Sequence, residues 1–126
     1  MKTERKKLSK NCKTYSKKSA EKIWKDKIKE LAGYKCELCG RSGLQLHAHH
    51  IERKQSNYMR LLIDNGVCLC AYHHMSIHGI NGLEALDTTR ALLESHFGKE
   101  HLDRLKQLKN SPPKVDLEYM IEDQGI

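Results

Sequence analysis

Apolar residues recur at helical spacing just after residue 15. Ile23, Trp24, Lys27, Ile28 and Leu31 form one stripe, which predicts a helix capped by Ser16 or Ser19 and closed by Gly33. Residues 1–15 show no such period and are expected to form a mobile arm. Beyond the helix the pattern changes. Cys36-Glu37-Leu38-Cys39-Gly40 reads as a tight turn, and Leu44 to His50 alternates apolar and polar as a short strand does. Residues 51–63 read as a basic loop, Asp64-Asn65-Gly66 as a turn, and Val67 to Leu69 as a second strand. A helix is expected from Ala71 to Gly79. Leu83, Leu86, Ala91, Leu92 and Leu93 predict another, closed near Gly98. Leu102, Leu105 and Leu108 predict a last one, stopped by Ser111-Pro112-Pro113, and residues 111–126 read as an acidic tail. No internal repeat is visible.

Composition sharpens this outline. The chain has 126 residues, 38% hydrophobic and only 6% aromatic, so a large apolar core is hard to build. A small polar domain of this kind calls for a staple, and the candidates are 5 Cys and 8 His. An odd cysteine count without a secretory leader in residues 1–20 disfavours a disulfide framework and points to a cytoplasmic chain with metal-bound thiolates. No run approaches 18 apolar residues, which argues against a membrane span. The formal charge is +7, which suggests an anionic partner, most often nucleic acid. That charge is unevenly placed: residues 1–29 carry +9 and residues 30–126 carry −2. An N-terminal arm of this kind can dock on phosphates without reading bases.

The cysteines and histidines fall into two sets. Cys36-x-x-Cys39 places two thiolates on one turn, and Cys70-x-x-His73 repeats the gap. Together they make a Cys₃His tetrahedron for structural zinc. Cys68 competes with His73 as the fourth ligand, because its strand spacing to Cys70 puts both on one face. Cys12 is a bystander in the arm. Six of the histidines lie between residues 47 and 78. His49 and His50 are strand neighbours facing opposite ways, so one can ligate a metal while the other stays free as a base. His74 and His78 share a helix face. With His49 they can form a second metal site with open positions, as a catalytic ion requires. His47 shares the strand face of His49 and reads as a polar surface residue or a support of the site.

Read in order, Cys36-x-x-Cys39-Gly40, Leu46-x-x-His49-His50-Ile51, Asn65 and Leu69-Cys70-x-x-His73-His74-x-x-x-His78 resemble the HNH endonucleases. The likeness is to their zinc-knuckle subclass, and most of all to the small HNH proteins of phages and prophages. It covers residues 34–79, and more weakly the chain to about 110. One departure is His73, where the subclass usually carries a fourth Cys. The resemblance implies a small α+β fold: a ββα-metal, treble-clef-like core stapled by zinc and flanked by N-terminal and C-terminal helices. The domain would span residues 16–110, between the arm (1–15) and the acidic tail (111–126).

By the same resemblance His49 is the first metal position and His50 the general base. Asn65 is the middle motif residue that holds the loop, and His74 is the last motif histidine, a metal ligand. His78 ligates the metal or contacts the scissile phosphate. The implied reaction is hydrolysis of a DNA phosphodiester assisted by one divalent cation (Mg²⁺, Mn²⁺, Ni²⁺ or Zn²⁺), leaving a 5′ phosphate and a 3′ hydroxyl. Arg53, Lys54 and Arg60, in the loop beside the site, can grip flanking phosphates. The expected partner is double-stranded DNA in a bacterial or phage-infected cell, with a dimer or phage packaging or recombination proteins as further partners. Two rivals stay open: a zinc-stapled DNA-binding or packaging module without catalysis, and an RNA nuclease using the same residues.

Overall fold

The computed structural model describes residues 15–43 and 45–126. The arm up to residue 14, its Cys12, and Leu44 at the expected start of the first strand lie outside the described residues. Among the described residues the fold is small α+β: six α-helices around one two-stranded sheet. Helix α1 spans Lys17–Leu31. Ser16 and Ser19 divide the capping between them. The Ser16 hydroxyl accepts from the Ser19 N–H at 3.0 Å, and the Ser19 hydroxyl accepts from the Ser16 N–H at 3.1 Å. The helix buries Ala20, Trp24 and Ile28, one face at i, i+4 and i+8, whereas Leu31 from the expected stripe is exposed. Ala32 caps the C-terminus, and Gly33 follows in the left-handed region at φ +68°.

Strands β1 (Leu46–His50) and β2 (Gly66–Cys70) pair antiparallel, with Leu46 opposite Cys70 and His50 opposite Gly66. Helix α1 packs so closely on β2 that a Cβ at Gly66 would overlap Ile28 and come within 2.6 Å of Trp24. The segment between the strands, read as a loop, contains a short helix, α2 (Asn57–Leu61), and a 3₁₀ turn (Ile63–Asn65). Met59 and Leu61 of α2 are buried. Helix α3 (Ala71–Ile77) starts directly from β2. It is followed by α4 (Leu83–Phe97), α5 (Lys99–Asn110) and α6 (Leu117–Gln124).

Helix α6 corrects the reading of residues 111–126 as a tail. Asp116 caps it, accepting from the Tyr119 N–H at 2.8 Å, and Leu117, Met120 and Ile121 enter the main core. Gln124 then bonds the Leu61 carbonyl and the Ile63 N–H. The main core joins these residues to Ala20, Trp24, Ile28, Met59 and Leu105. A smaller cluster holds Cys36, Val67, Leu69, Cys70 and Leu93. No helix among the described residues is long and apolar enough to cross a membrane.

Candidate functional site

The sheet and α3 bring the chemistry-bearing residues to two neighbouring places. At the first, the turn after α1 supplies Cys36 and Cys39, the end of β2 supplies Cys70, and the first turn of α3 supplies His73. Cys39 Sγ lies 3.9 Å from Cys70 Sγ. His73 Nδ1 lies 3.5 Å from Cys36 Sγ and 3.4 Å from Cys70 Sγ. A tetrahedron with metal–sulfur bonds of about 2.3 Å and metal–nitrogen bonds of about 2.0 Å has edges of about 3.8 Å and 3.5 Å. All four donors lie within 4.8 Å of one another, and the cluster could hold a metal such as zinc. Burial pushes the Cys36 thiol up, but backbone N–H groups from Cys70, Cys39 and Leu38 outweigh it and leave the thiol below its ordinary value.

Cys68, the competing ligand, is not in this cluster. It is fully buried in the main core. Burial first, and then the Glu37 charge, push its thiol up to about 11, so it stays a neutral apolar side chain. Glu37 is a residue that sequence reasoning passed over. Its N–H donates to the Cys68 carbonyl at 2.8 Å, its carboxylate accepts from the Cys68 N–H at 2.8 Å, and its other oxygen lies 2.9 Å from His96 Nε2 on α4. The cysteine turn is thereby fastened to both β2 and α4. Only its acidic character between two thiolates was visible in the sequence.

At the second place, His49 from the end of β1 faces His74 and His78 of α3 and its C-terminal cap. Their ring nitrogens lie within 4.8 Å of one another, and the Nε2 atoms of His74 and His78 are 3.3 Å apart. Burial, then the neighbouring His74 and His78, push His49 down to about 4. Burial and the facing imidazoles of His47 and His78 also lower His74. His49 and His74 therefore stay neutral near pH 7, with lone pairs available to a cation. Three ligands leave coordination positions open. His47 belongs to the same neighbourhood, its ring stacked on His74 with centroids 4.7 Å apart.

His50 stacks on Trp24, with centroids 4.0 Å apart and planes 5° from parallel. Its Nε2–H donates to the Arg60 carbonyl at 2.8 Å. That bond fixes the tautomer and leaves Nδ1 unprotonated. Burial is the largest influence on His50 and holds it below the ordinary histidine value, against the pull of the Arg60 carbonyl and Glu21.

Asn65 is completely buried and closes the loop on itself. Its Oδ1 accepts from the Glu52 N–H at 2.8 Å, and its Nδ2 donates to the Glu52 and Met59 carbonyls, both at 3.0 Å. The Met59 carbonyl precedes the Arg60 carbonyl by one residue, so Asn65 holds the peptide segment that receives His50.

The three basic loop residues separate. Arg53 is exposed and forms no ion pair among the described residues. Lys54 Nζ lies 2.7 Å from Glu21 Oε2, and an Arg60 guanidinium nitrogen lies 3.0 Å from Glu21 Oε1. With 13% of its side chain exposed, Arg60 serves an internal ion pair with Glu21. Glu21, from α1, was not foreseen. One open cleft of about 800 Å³ is lined by His49, His50, His74, His78, Arg53 and Lys54. In comparisons with family models, curated proteins and solved structures, the chain matches none.

Proposed function

We propose that the chain is a metal-dependent endonuclease of the HNH type that hydrolyses DNA phosphodiester bonds. In this reading β1, the 51–65 segment, β2 and α3 form the ββα-metal unit, with Cys36, Cys39, Cys70 and His73 as its zinc staple. One observation carries the proposal: an imidazole with a fixed tautomer and a free Nδ1 shares a cleft with a set of three imidazoles that leaves coordination positions open.

His49 and His74, with His78, would hold the divalent cation. Such a cation supplies Lewis-acid stabilisation of the charge that develops on the phosphate and the leaving 3′ oxygen. His50 Nδ1 accepts the proton of the attacking water. The Trp24 face and the Arg60 carbonyl keep the ring from turning as that proton arrives. Asn65 holds the carbonyl in place through the loop. Arg53 and Lys54 at the mouth of the cleft neutralise flanking phosphates. A binding module without catalysis has no use for a histidine held in one tautomer beside an open ligand set.

The test is plasmid scission in a series of Mg²⁺, Mn²⁺, Ni²⁺ and Zn²⁺, with His50→Ala alongside. The parent chain is expected to nick or linearise the plasmid with at least one ion. His50→Ala should bind DNA and metal but lose cleavage about 10²-fold or more. No scission with any ion overturns the proposal, and full activity of His50→Ala overturns the assignment of the base.

A further inference from the structure

The solvent face of α1 is a second feature of the cleft's surroundings. Lys18, Lys22 and Lys25 recur at i, i+4 and i+7 and are exposed, opposite the face that buries Ala20, Trp24 and Ile28. They are continuous with the histidine cleft. Lys18, Lys22 and Lys25 line a shallow groove with Ser16 and Ser19. Lys18 and Lys25 also line the next groove with Lys54 and Arg60, and Lys25 and Lys54 line the cleft of His49 and His50.

The carboxylates on this helix do little to cancel the strip. Glu21 is sunk to 10% exposure and held by Lys54 and Arg60. Asp26 pairs with Lys22 at 3.0 Å, but both are well exposed, and such a pair is weak and easily exchanged for a phosphate. Lys25 stands 3.8 Å from Glu21 with half its side chain in solvent.

We propose that this lysine face of α1 carries the phosphate backbone of a DNA duplex running out of the histidine cleft. The inference rests on the endonuclease reading for the identity of the partner. From Lys18 to Lys25 the helix rises about 10 Å. A DNA strand presents a charge every ~3.4 Å of axis, so the face spans about three phosphates of one strand. The strip offers charge without stacking surfaces: the exposed tyrosines, Tyr34, Tyr72 and Tyr119, line none of its grooves. A single strand would call for aromatic platforms, and a duplex backbone does not. The face therefore supplies affinity and sets the path of the duplex, not the choice of sequence.

The experiment uses the full chain in a His50→Ala background, so that scission does not intrude. Binding of a labelled duplex of about 30 base pairs is read by fluorescence anisotropy between about 50 and 200 mM salt. Lys18→Gln/Lys25→Gln is compared with Lys35→Gln/Lys114→Gln, two exposed lysines that line none of these grooves. The α1 pair should weaken binding about 10-fold or more and flatten the slope of log K against log salt by about 2, roughly 0.9 per lost phosphate contact. The control pair should leave both unchanged, and melting curves should show all variants folded. The inference is overturned if the α1 pair binds like its background or like the control, if a single strand binds in preference to the duplex, or if the background chain does not bind duplex at all. Plasmid scission by the parent chain separates the two readings. Duplex binding that depends on α1 without scission sinks only the nuclease; scission that is indifferent to Lys18 and Lys25 sinks only the track.

Discussion

A single buried carboxylate, Glu21, links three parts of the site. It sits on the same helix as Trp24, whose ring supports His50, and it binds both Lys54 and Arg60 of the loop whose carbonyl receives His50. Burial pushes its carboxyl up, but hydrogen bonds from Lys54 and Arg60 outweigh burial and hold it below the ordinary glutamate value. A carboxyl lowered in the folded state contributes stability above its unfolded value, and that contribution disappears as pH falls through the folded value. Glu21→Gln should therefore lower the urea midpoint at pH 7. The gap between parent and variant should close as pH drops below about 4.5. A gap of constant size down to pH 3 would mean that the ion pairs do not stabilise the fold.

At the scale of elements, α6 carries the clearest consequence. Leu117, Met120 and Ile121 are 9%, 1% and 6% exposed, and each buried side chain of this size contributes about 1.5–3 kcal/mol. Ending the chain after Asn110 should cost about 5 kcal/mol or more and expose Leu61 and Met59, as urea unfolding and dye binding would report. Unchanged stability would return α6 to the status of an appendage. The sequence hid this helix because three acids and a capping Asp116 dominate the segment, while the three apolar residues that matter occupy one face of only eight positions. Helix α2 was hidden for a related reason: five residues are too few to show a period. The first strand was legible because its sequence alternates, and the second because it follows the turn signal Asp64-Asn65-Gly66. The two ligand sets were legible because their spacings, x-x within each zinc pair and four along α3, are local. Glu21, Glu37 and the tie of Arg60 were not, because each joins residues more than 30 positions apart.

The whole molecule has two small cores and two ligand clusters, and they are not independent. Cys36 and Cys70 are themselves members of the smaller core. Loss of a metal from the Cys₃His cluster would therefore remove a staple and loosen that core together. A structural zinc contributes about 10 kcal/mol or more, against a net stability of about 5–15 kcal/mol for a domain. The histidine trio is different: His49 and His74 are half-buried and His78 is exposed, at the surface of a cleft and outside both cores. Emptying it should leave the fold standing. Purified parent chain loaded with Zn²⁺ is thus expected to bind one ion per cluster by elemental analysis. His49→Ala/His74→Ala should retain the tightly held ion, the native circular dichroism and the melting temperature to within a few degrees. Cys36→Ser, or a strong chelator added to the parent, should abolish cooperative melting. If the histidine variant unfolds as well, the second cluster is part of the staple. If Cys36→Ser melts like the parent, the four-ligand set is not what holds the smaller core together.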